Sequence, residues 1–211
     1  MEQFYKLLKE YNIILMKSQI DFPEWLLQFT EDIPPTYWVT IYNLLKDVDK
    51  NKSIIEIGTG YGDVTALLYY MGFKKIICFE MDNQKCVFID NKIHKLFGVH
   101  PQIINEKYPI ELDFSPDIIL QVNCVYIDNE ETKNDYLDQI LKYYNANGTP
   151  SIYILEVIDD SYKNENFLFP HFVRLCNKDI SHIFPECQVT SFVTRKYPQN
   201  RVSKTIYKIC K

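Results

Sequence analysis

The chain has 211 residues, a net charge of -5 at pH 7 and 46% hydrophobic residues, which suits one globular chain with a substantial core. The net negative charge argues against extensive electrostatic binding to the phosphates of nucleic acid. Because no apolar run reaches the roughly 18 residues of a membrane span and no signal peptide pattern opens the chain, we expect a cytoplasmic protein without membrane contact.

The first 50 residues predict two helices, which we interpret as an N-terminal helical cap (residues 1–50). In the first helix, Phe4, Leu8 and Tyr11 recur at helical spacing and define one apolar face. The second helix pattern begins after Pro34 and Pro35, since proline is tolerated before a helix but not inside it. The remaining residues, 51–211, form the predicted core domain.

A glycine-rich turn lies near the start of that core domain. The segment Ser53–Ile57 is short, β-branched and mostly apolar, which predicts a buried strand, and the pattern from Asp63 onward predicts a helix. Gly58, Gly60 and Gly62 lie between them, where missing Cβ atoms let a ligand approach the backbone. The turn therefore predicts a ligand site, with a bare strand-to-helix turn as the alternative.

The spacing of these glycines separates two kinds of ligand. A dinucleotide fold typically has G-x-G-x-x-G, which places a pyrophosphate at the helix N-terminus. Here the pattern is E-x-G-x-G-x-G, and Asp63 occupies the position of the third glycine. A carboxylate beside a pyrophosphate is repulsive, whereas beside a sulfonium and an amino group it is not.

Strand patterns then alternate with helix patterns, which predicts an α/β fold with helices on both faces of a parallel sheet. We expect strands at 74–80, 101–105, 117–123 and 151–157. Ligands of such sheets bind at the carboxyl ends of the strands. Glu80 ends the second strand about 20 residues beyond the glycines, where a ribose is expected.

The end of the chain predicts a β-hairpin. The segments 187–196 and 201–210 alternate apolar and polar residues and flank the turn sequence YPQN. The six cysteines show no C-x-x-C spacing, which favours buried thiols in a reducing compartment over disulfides or a metal site.

The motif from Glu56 to Gly62, together with the terminal hairpin, resembles the class I methyltransferases that use S-adenosylmethionine. The resemblance covers roughly residues 51–211. It implies a Rossmann-like three-layer α/β/α sandwich with a mostly parallel seven-stranded sheet and an antiparallel last strand. It also implies S-adenosylmethionine as cofactor, S-adenosylhomocysteine as product, and a set of cofactor-binding residues: Glu56, Gly58, Thr59, Gly60, Tyr61, Gly62, Glu80, Met81, Asn105, Glu106 and Asn123.

Three residues are candidates for catalysis. The N-x-x-Y spacing of Asn123 and Tyr126 is similar to the N-P-P-Y motif of methyltransferases acting on amino groups of bases, but both prolines are missing. The loop is more similar to that of small-molecule methyltransferases, which makes Tyr126 and Asp128 candidates, with an ordinary loop as the alternative. His171 follows the fifth strand and is a candidate base, with a hydrogen-bonded core histidine as its alternative.

Two groups of residues are candidates for substrate binding. Tyr37 and Trp38 would contact the substrate if the N-terminal helices cover the cofactor site, as the resemblance implies; the alternative is that they pack the second helix onto the sheet. Arg195, Lys196 and Arg201 form a basic hairpin tip that would anchor a carboxylate or phosphate, with a solvated turn as the alternative.

The sequence thus predicts a methyltransferase that modifies an oxygen or nitrogen of a small molecule or peptide, with a carboxylate and natural-product tailoring among the options. The alternatives are an RNA or protein N-methyltransferase, and a non-catalytic cofactor-binding module or NAD-dependent oxidoreductase. We expect a monomer or homodimer that does not bind nucleic acid or membranes.

Overall fold

The structure is a computed structural model, and it describes residues 1–18, 26, 30, 33–160, 169–194 and 203–211. The helices are α1 (Glu2–Ser18), α2 (Thr36–Leu45), α3 (Asp63–Tyr70), α4 (Asn83–Phe97), α5 (Lys133–Asn145) and α6 (Asn177–Ile183). The strands are β1 (Ser53–Ile57), β2 (Lys75–Phe79), β3 (Gln102–Ile104), β4 (Ile118–Gln121), β5 (Ile152–Asp159), β6 (Arg174–Leu175), β7 (Gln188–Thr194) and β8 (Lys204–Cys210).

The strands form one sheet in the order β3-β2-β1-β4-β5-β8-β7. The first five are parallel, and β8 is antiparallel to both β5 and β7, so β7 runs parallel to β5. The predicted mostly parallel sheet with a reversed last strand is therefore confirmed. The structure adds β6, which pairs with the end of β5; two residues are too few for a sequence period to reveal.

Helices cover both faces of the sheet and make the predicted three layers. One face packs against α5 and α6, with Tyr136, Tyr143 and Ile180 in its core. The other face packs against the first four helices in a second core, in which Phe4 and Trp38 lie. The N-terminal helices therefore bury their apolar faces in the same core as α3 and α4.

The cysteines are all free thiols. Cys78, Cys86 and Cys124 are buried as expected, whereas the other three are partly exposed. Among the described residues, no group of three or more histidine, cysteine or acidic side chains is placed to hold a metal ion. Within the same residues, no helix has both the length and the apolar character needed to cross a membrane.

Candidate functional site

The glycine turn between β1 and α3 lies at the carboxyl edge of the sheet. Gly58, Gly60 and Gly62 have φ angles of 67°, 61° and 72°, a left-handed region that costs other residues roughly 1–2 kcal/mol. The backbone N–H groups of Gly58 and Thr59 both donate to the carbonyl of Phe79, at 2.9 and 3.1 Å. The turn is thus tied to the end of β2, and its three positive φ angles explain why glycine occupies these positions.

Gly58 also lies against the loop that follows β4. A Cβ atom at this position would lie 2.4 Å from Cys124 Sγ and 3.2 Å from the Tyr126 hydroxyl. At Gly60, by contrast, nothing lies within 4 Å of such an atom. Gly58 is therefore required for packing, while Gly60 leaves an open space in the site.

We expect Gly58→Ala to lower the free energy of unfolding by about 2 to 4 kcal/mol, because it adds steric overlap to the cost of a positive φ. Gly60→Ala is the matched control, which bears only the backbone cost of about 1 to 2 kcal/mol. Urea titration of both variants measures the difference. Equal stability of the two would contradict the close packing of Gly58 against Cys124.

Glu80 follows β2 directly and is held beside the glycine turn. Its Oε2 accepts a hydrogen bond from the Gly60 N–H at 2.8 Å, and its Oε1 accepts one from the Asp82 N–H at 3.0 Å. The side chain is buried. Each carboxylate oxygen has a second lone pair, so the group retains acceptor capacity for a ligand in the predicted ribose position.

Three further residues predicted to bind the cofactor lie beside Glu80. The Asn105 side chain donates to the backbone carbonyls of Glu80 and Met81, at 2.9 Å each, which joins the end of β3 to the end of β2. Met81 is half-exposed, and Glu106 is exposed. The structure brings these three residues together at one edge of the site, and their contacts with a cofactor stay a prediction.

A cleft of about 210 Å³ opens at the glycine turn. Tyr61 forms part of its wall; this ring packs edge-on against Phe88, with ring centroids 5.4 Å apart. The Lys85 ammonium lies 5.7 Å from the centroid of the Tyr61 ring. The cleft is lined by Tyr37, Glu56, Gly58, Thr59, Gly60, Tyr61, Asp63, Val64, Lys85, Val122 and Asn123.

Glu56 faces this cleft from within β1. It is buried and accepts a hydrogen bond from the Thr65 hydroxyl at 2.7 Å. Burial, followed by repulsion from Asp63 and Glu80, raises the pKa of Glu56 to about 8, although Thr65 and Lys92 oppose the shift. Glu56 therefore carries a proton over most of the neutral range.

This proton makes the stability of the protein depend on pH. The folded pKa of Glu56 lies above its ordinary value of 4.5, so between the two values the folded state holds a proton that the unfolded state has lost. The associated stability is complete below the lower value and declines as pH rises toward 8. Glu56→Gln should remove this decline and stabilise the protein at pH 8, by on the order of 2 kcal/mol.

Urea titrations of the wild type and Glu56→Gln between pH 5 and 8 measure this effect. The control is Glu186→Gln, because Glu186 is exposed. If the stability curves of the wild type and Glu56→Gln run parallel across this range, Glu56 is not the group responsible.

A buried ion pair supports the floor of the cleft. The Lys92 ammonium of α4 contacts Asp63 Oδ1 at 2.5 Å and donates to the Tyr61 carbonyl at 3.0 Å. Burial raises the pKa of Asp63, while Lys92 opposes that shift. Lys92 has no exposed surface, and its position within α4 does not distinguish it in the sequence from the exposed Lys95.

A second polar cluster lies at the carboxyl ends of β4 and β5. Glu156 Oε2 accepts from the Asn123 N–H at 3.0 Å and from the Lys204 ammonium at 3.1 Å, and Glu156 Oε1 accepts from the Thr194 hydroxyl at 3.2 Å. Lys204 also donates to Asn123 Oδ1. The cluster fixes Asn123, a cleft residue with a φ of 55°.

The sequence analysis missed Glu156 and Lys204. The available signal was Glu156 itself, a single carboxylate inside an apolar strand, because a buried carboxylate requires a partner. Its partner is 48 residues further along the chain, and nothing in the local sequence indicates that distance.

The two aromatic candidates of α2 lie in different places. Tyr37 lines the cleft. Burial, followed by Asp63 and Glu156, raises the pKa of its phenol well above the usual value. Hydrogen bonds with Trp38 and Asn123 partly offset this shift in the pKa. Trp38 has no exposed surface and packs against Phe4, with ring centroids 5.7 Å apart. The expectation that Trp38 contacts substrate is therefore corrected: it packs α2 into the core.

The candidate catalytic residues are dispersed. Tyr126 is partly buried beside Gly58, and burial raises the pKa of its phenol far above the usual value. Asp128 is exposed and pairs with Lys107. His171 is exposed, at the start of a single 3-10 turn (His171–Val173) after β5.

The predicted basic tip of the hairpin lies outside the described residues. This applies to Arg195, Lys196 and Arg201, for which an anchoring role stays a prediction.

Comparison with known proteins identifies the fold through solved structures alone. No protein-family profile matches the chain, and no curated protein sequence matches it. Among solved structures, the methyltransferase domain of bacterial CtHen1-C aligns with a TM-score of 0.62 at 14% identity, over 83% of this chain and 96% of that one.

Two further structures align over nearly the full length. Magnesium protoporphyrin IX methyltransferase from Synechocystis PCC 6803, with bound SAM, gives a TM-score of 0.62 at 12% identity, over 99% of this chain and 97% of that one. The O-methyltransferase from Bacillus cereus, in complex with SAH, gives a TM-score of 0.56 at 14% identity, over 100% of this chain and 92% of that one. The chain therefore has the fold of the class I S-adenosylmethionine-dependent methyltransferases.

Proposed function

We propose that the protein is an S-adenosylmethionine-dependent methyltransferase. The observation that carries the proposal is the position of the Glu80 carboxylate at the carboxyl edge of the sheet. Two backbone N–H groups hold it beside a turn in which three glycines have left-handed φ angles. Open space at Gly60 and spare lone pairs on Glu80 fit a nucleoside whose ribose hydroxyls donate to a carboxylate. Structures with this fold, crystallised with SAM or SAH, support the same cofactor.

The bound cofactor would supply an activated methyl group, so the protein's own residues mainly bind and orient. Glu80 and the glycine turn would hold the nucleoside. Asn123, fixed by Glu156 and Lys204, would form part of the cleft wall, and Tyr37 would cover the opening from α2.

For the acceptor, we propose an oxygen or nitrogen of a small molecule or peptide. The net charge of -5 supports this choice over RNA. A carboxylate acceptor depends on the predicted hairpin cations and stays a prediction.

Incubation with methyl-labelled S-adenosylmethionine tests this function, using cell extract divided into small-molecule, peptide and RNA fractions. We expect label in the small-molecule or peptide fraction. Label in RNA alone would establish the alternative substrate class. Cofactor binding without labelling of any fraction would identify a non-catalytic binding module.

A further inference from the structure

The loop after β4 gives the glycine cleft a hydrogen-bond donor whose direction is fixed. Asn123 lines the cleft and is exposed, so a ligand can reach its side chain. Its Oδ1 accepts a hydrogen bond from the Lys204 ammonium. Because an ammonium group only donates, the amide oxygen must face Lys204, and the amide nitrogen Nδ2 must point away from it.

Lys204 is anchored in a way that keeps this orientation. Its ammonium also donates to Glu156 Oε2 at 3.1 Å, and only 13% of the Lys204 side chain and 2% of the Glu156 side chain are exposed. The same carboxylate oxygen accepts from the backbone N–H of Asn123 at 3.0 Å. One buried ion pair therefore holds both the backbone and the amide oxygen of Asn123.

The amide nitrogen of Asn123 meets Tyr37, which also lines the cleft. Burial raises the pKa of the Tyr37 phenol well above its usual value, and a hydrogen bond with Asn123 opposes that shift. A bond that lowers the pKa of a phenol is one donated to its oxygen, so Asn123 donates to Tyr37, which keeps its own proton at neutral pH. The second N–H of Asn123 and the O–H of Tyr37 can both donate to a ligand, and we call these two side chains the donor wall.

The sheet places the donor wall on the far side of the glycine turn from the predicted ribose. The strands that precede Glu80, the turn and Asn123 are neighbours, in the order β2-β1-β4. Neighbouring strands lie about 4.8 Å apart, so Glu80 and Asn123 are separated by roughly 10 Å across the strands. A nucleoside bound through its ribose at Glu80 would extend its 5′ substituent over the turn toward Asn123, and the methyl acceptor has to lie at that end.

We propose that the methyl acceptor is a carboxylate, which the donor wall holds by hydrogen bonds from Asn123 and Tyr37 to one of its oxygens. This inference rests on the proposed function and names its substrate class from described residues, without the hairpin cations. A carboxylate accepts at both oxygens and donates nothing. An ammonium group, which is the neutral-pH form of most amines, would instead place its N–H groups against the N–H of Asn123.

Transfer to a carboxylate requires no base. The free carboxylate oxygen gives an electron pair to the methyl carbon, the bond from that carbon to sulfur breaks, and the electron pair of the broken bond stays on sulfur. The products are a methyl ester and S-adenosylhomocysteine, and the charges of the sulfonium and the carboxylate cancel without movement of a proton. This agrees with the cleft, in which Glu56 is protonated near neutral pH and Asp63 is paired with Lys92.

NMR titration of the ¹⁵N-labelled protein with benzoate, at saturating S-adenosylhomocysteine, tests this inference without turnover. We expect saturable shifts of the Asn123 side-chain N–H signals, with a dissociation constant of about 10 mM or lower. Benzamide, which has a similar shape but no charge, should bind at least about tenfold more weakly, and sodium chloride should leave these signals unchanged.

The outcomes of this titration separate two failures. If S-adenosylhomocysteine does not bind, the proposed function is wrong and this inference falls with it. If it binds and benzoate does not, or if benzamide or benzylammonium binds as well as benzoate, the carboxylate acceptor alone is overturned.

The variant Asn123→Asp tests the direction of the amide. Aspartate keeps an oxygen for Lys204 and tolerates the φ of 55° at this position, but it puts a negative oxygen where the N–H faced the carboxylate. We expect benzoate binding to fall by at least about tenfold. Asn129→Asp is the matched control, because Asn129 lies in the same loop, is exposed and does not line the cleft, and it should bind as the wild type does. Full binding by Asn123→Asp would overturn the inference.

The methylated product provides a second readout. Methyl esters hydrolyse in mild alkali and release their label as methanol, whereas N-methyl groups and methyl ethers do not. With methyl-labelled S-adenosylmethionine and the small-molecule and peptide fractions, we expect alkali-labile label from the wild type and from Asn129→Asp, and at least about tenfold less from Asn123→Asp. Alkali-stable label would overturn the carboxylate acceptor and leave methyl transfer intact, whereas cofactor binding without any label would overturn both.

Discussion

Replacing Lys92 by methionine is expected to lower the free energy of unfolding by about 3 to 5 kcal/mol, because it leaves the buried Asp63 carboxylate without its cation. Lys92 has no exposed surface, and its ammonium lies 2.5 Å from Asp63 Oδ1. The substitution also removes the donor to the Tyr61 carbonyl. Urea titration measures the loss.

A control and a double variant make this prediction specific. Lys95 lies on the same helix but is exposed, so Lys95→Met should change stability by less than about 0.5 kcal/mol. Adding Asp63→Asn to Lys92→Met should recover much of the loss, since no unpaired charge then remains. If Lys92→Met is as stable as Lys95→Met, the ion pair does not support the cleft.

Replacing Glu80 by alanine is expected to weaken S-adenosylhomocysteine binding by about 2 to 4 kcal/mol, because charge-assisted hydrogen bonds are lost and the ribose hydroxyls are left unpaired. A small but measurable part of this loss of binding should come from a change in the turn itself, because Glu80 also accepts hydrogen bonds from the Gly60 and Asp82 N–H groups. Glu80→Gln retains the side-chain shape and should bind with intermediate affinity.

A thermodynamic cycle separates the ribose contact from the shape of the turn. The wild type should prefer 5′-methylthioadenosine over its 2′,3′-dideoxy analogue, and Glu80→Ala should lose most of that preference. Asp90→Asn is the charge-matched control, since Asp90 lies on α4 and pairs with His100, away from the glycine turn. A preference that survives in Glu80→Ala would place the ribose elsewhere.

Local pattern was sufficient to predict most of the fold. The apolar run Ser53–Ile57 and the glycines after it indicated β1 and its turn, and the alternating residues at the C-terminus indicated the hairpin of β7 and β8. These features depend on neighbours a few residues apart, which is the range over which periodicity carries information. Most strand ends differed by one or two residues, as expected for frayed termini, and β8 begins three residues later than predicted.

Parts of the site depend on contacts between distant residues and were not predictable. Lys204 meets Glu156 across 48 positions, and Lys92 meets Asp63 across 29. Trp38 shows a different limit: an aromatic residue on an amphipathic helix suits a pocket or a core equally well, and only the packing against Phe4 decides. The orientation of the Asn123 amide likewise becomes evident only when Lys204, 81 positions further along the chain, is placed beside it.

The central claim is that S-adenosylmethionine binds at the glycine turn, and calorimetry with S-adenosylhomocysteine tests it most directly. The wild type should bind one equivalent and should not bind NAD. Gly60→Ala should bind far more weakly, because its added Cβ would occupy the open space of the cleft. Gly98→Ala is the matched control, since Gly98 has a similar positive φ and open surroundings at the end of α4, and it should bind as the wild type does. Tight binding of NAD with none of S-adenosylhomocysteine, or undiminished binding by Gly60→Ala, would contradict the claim.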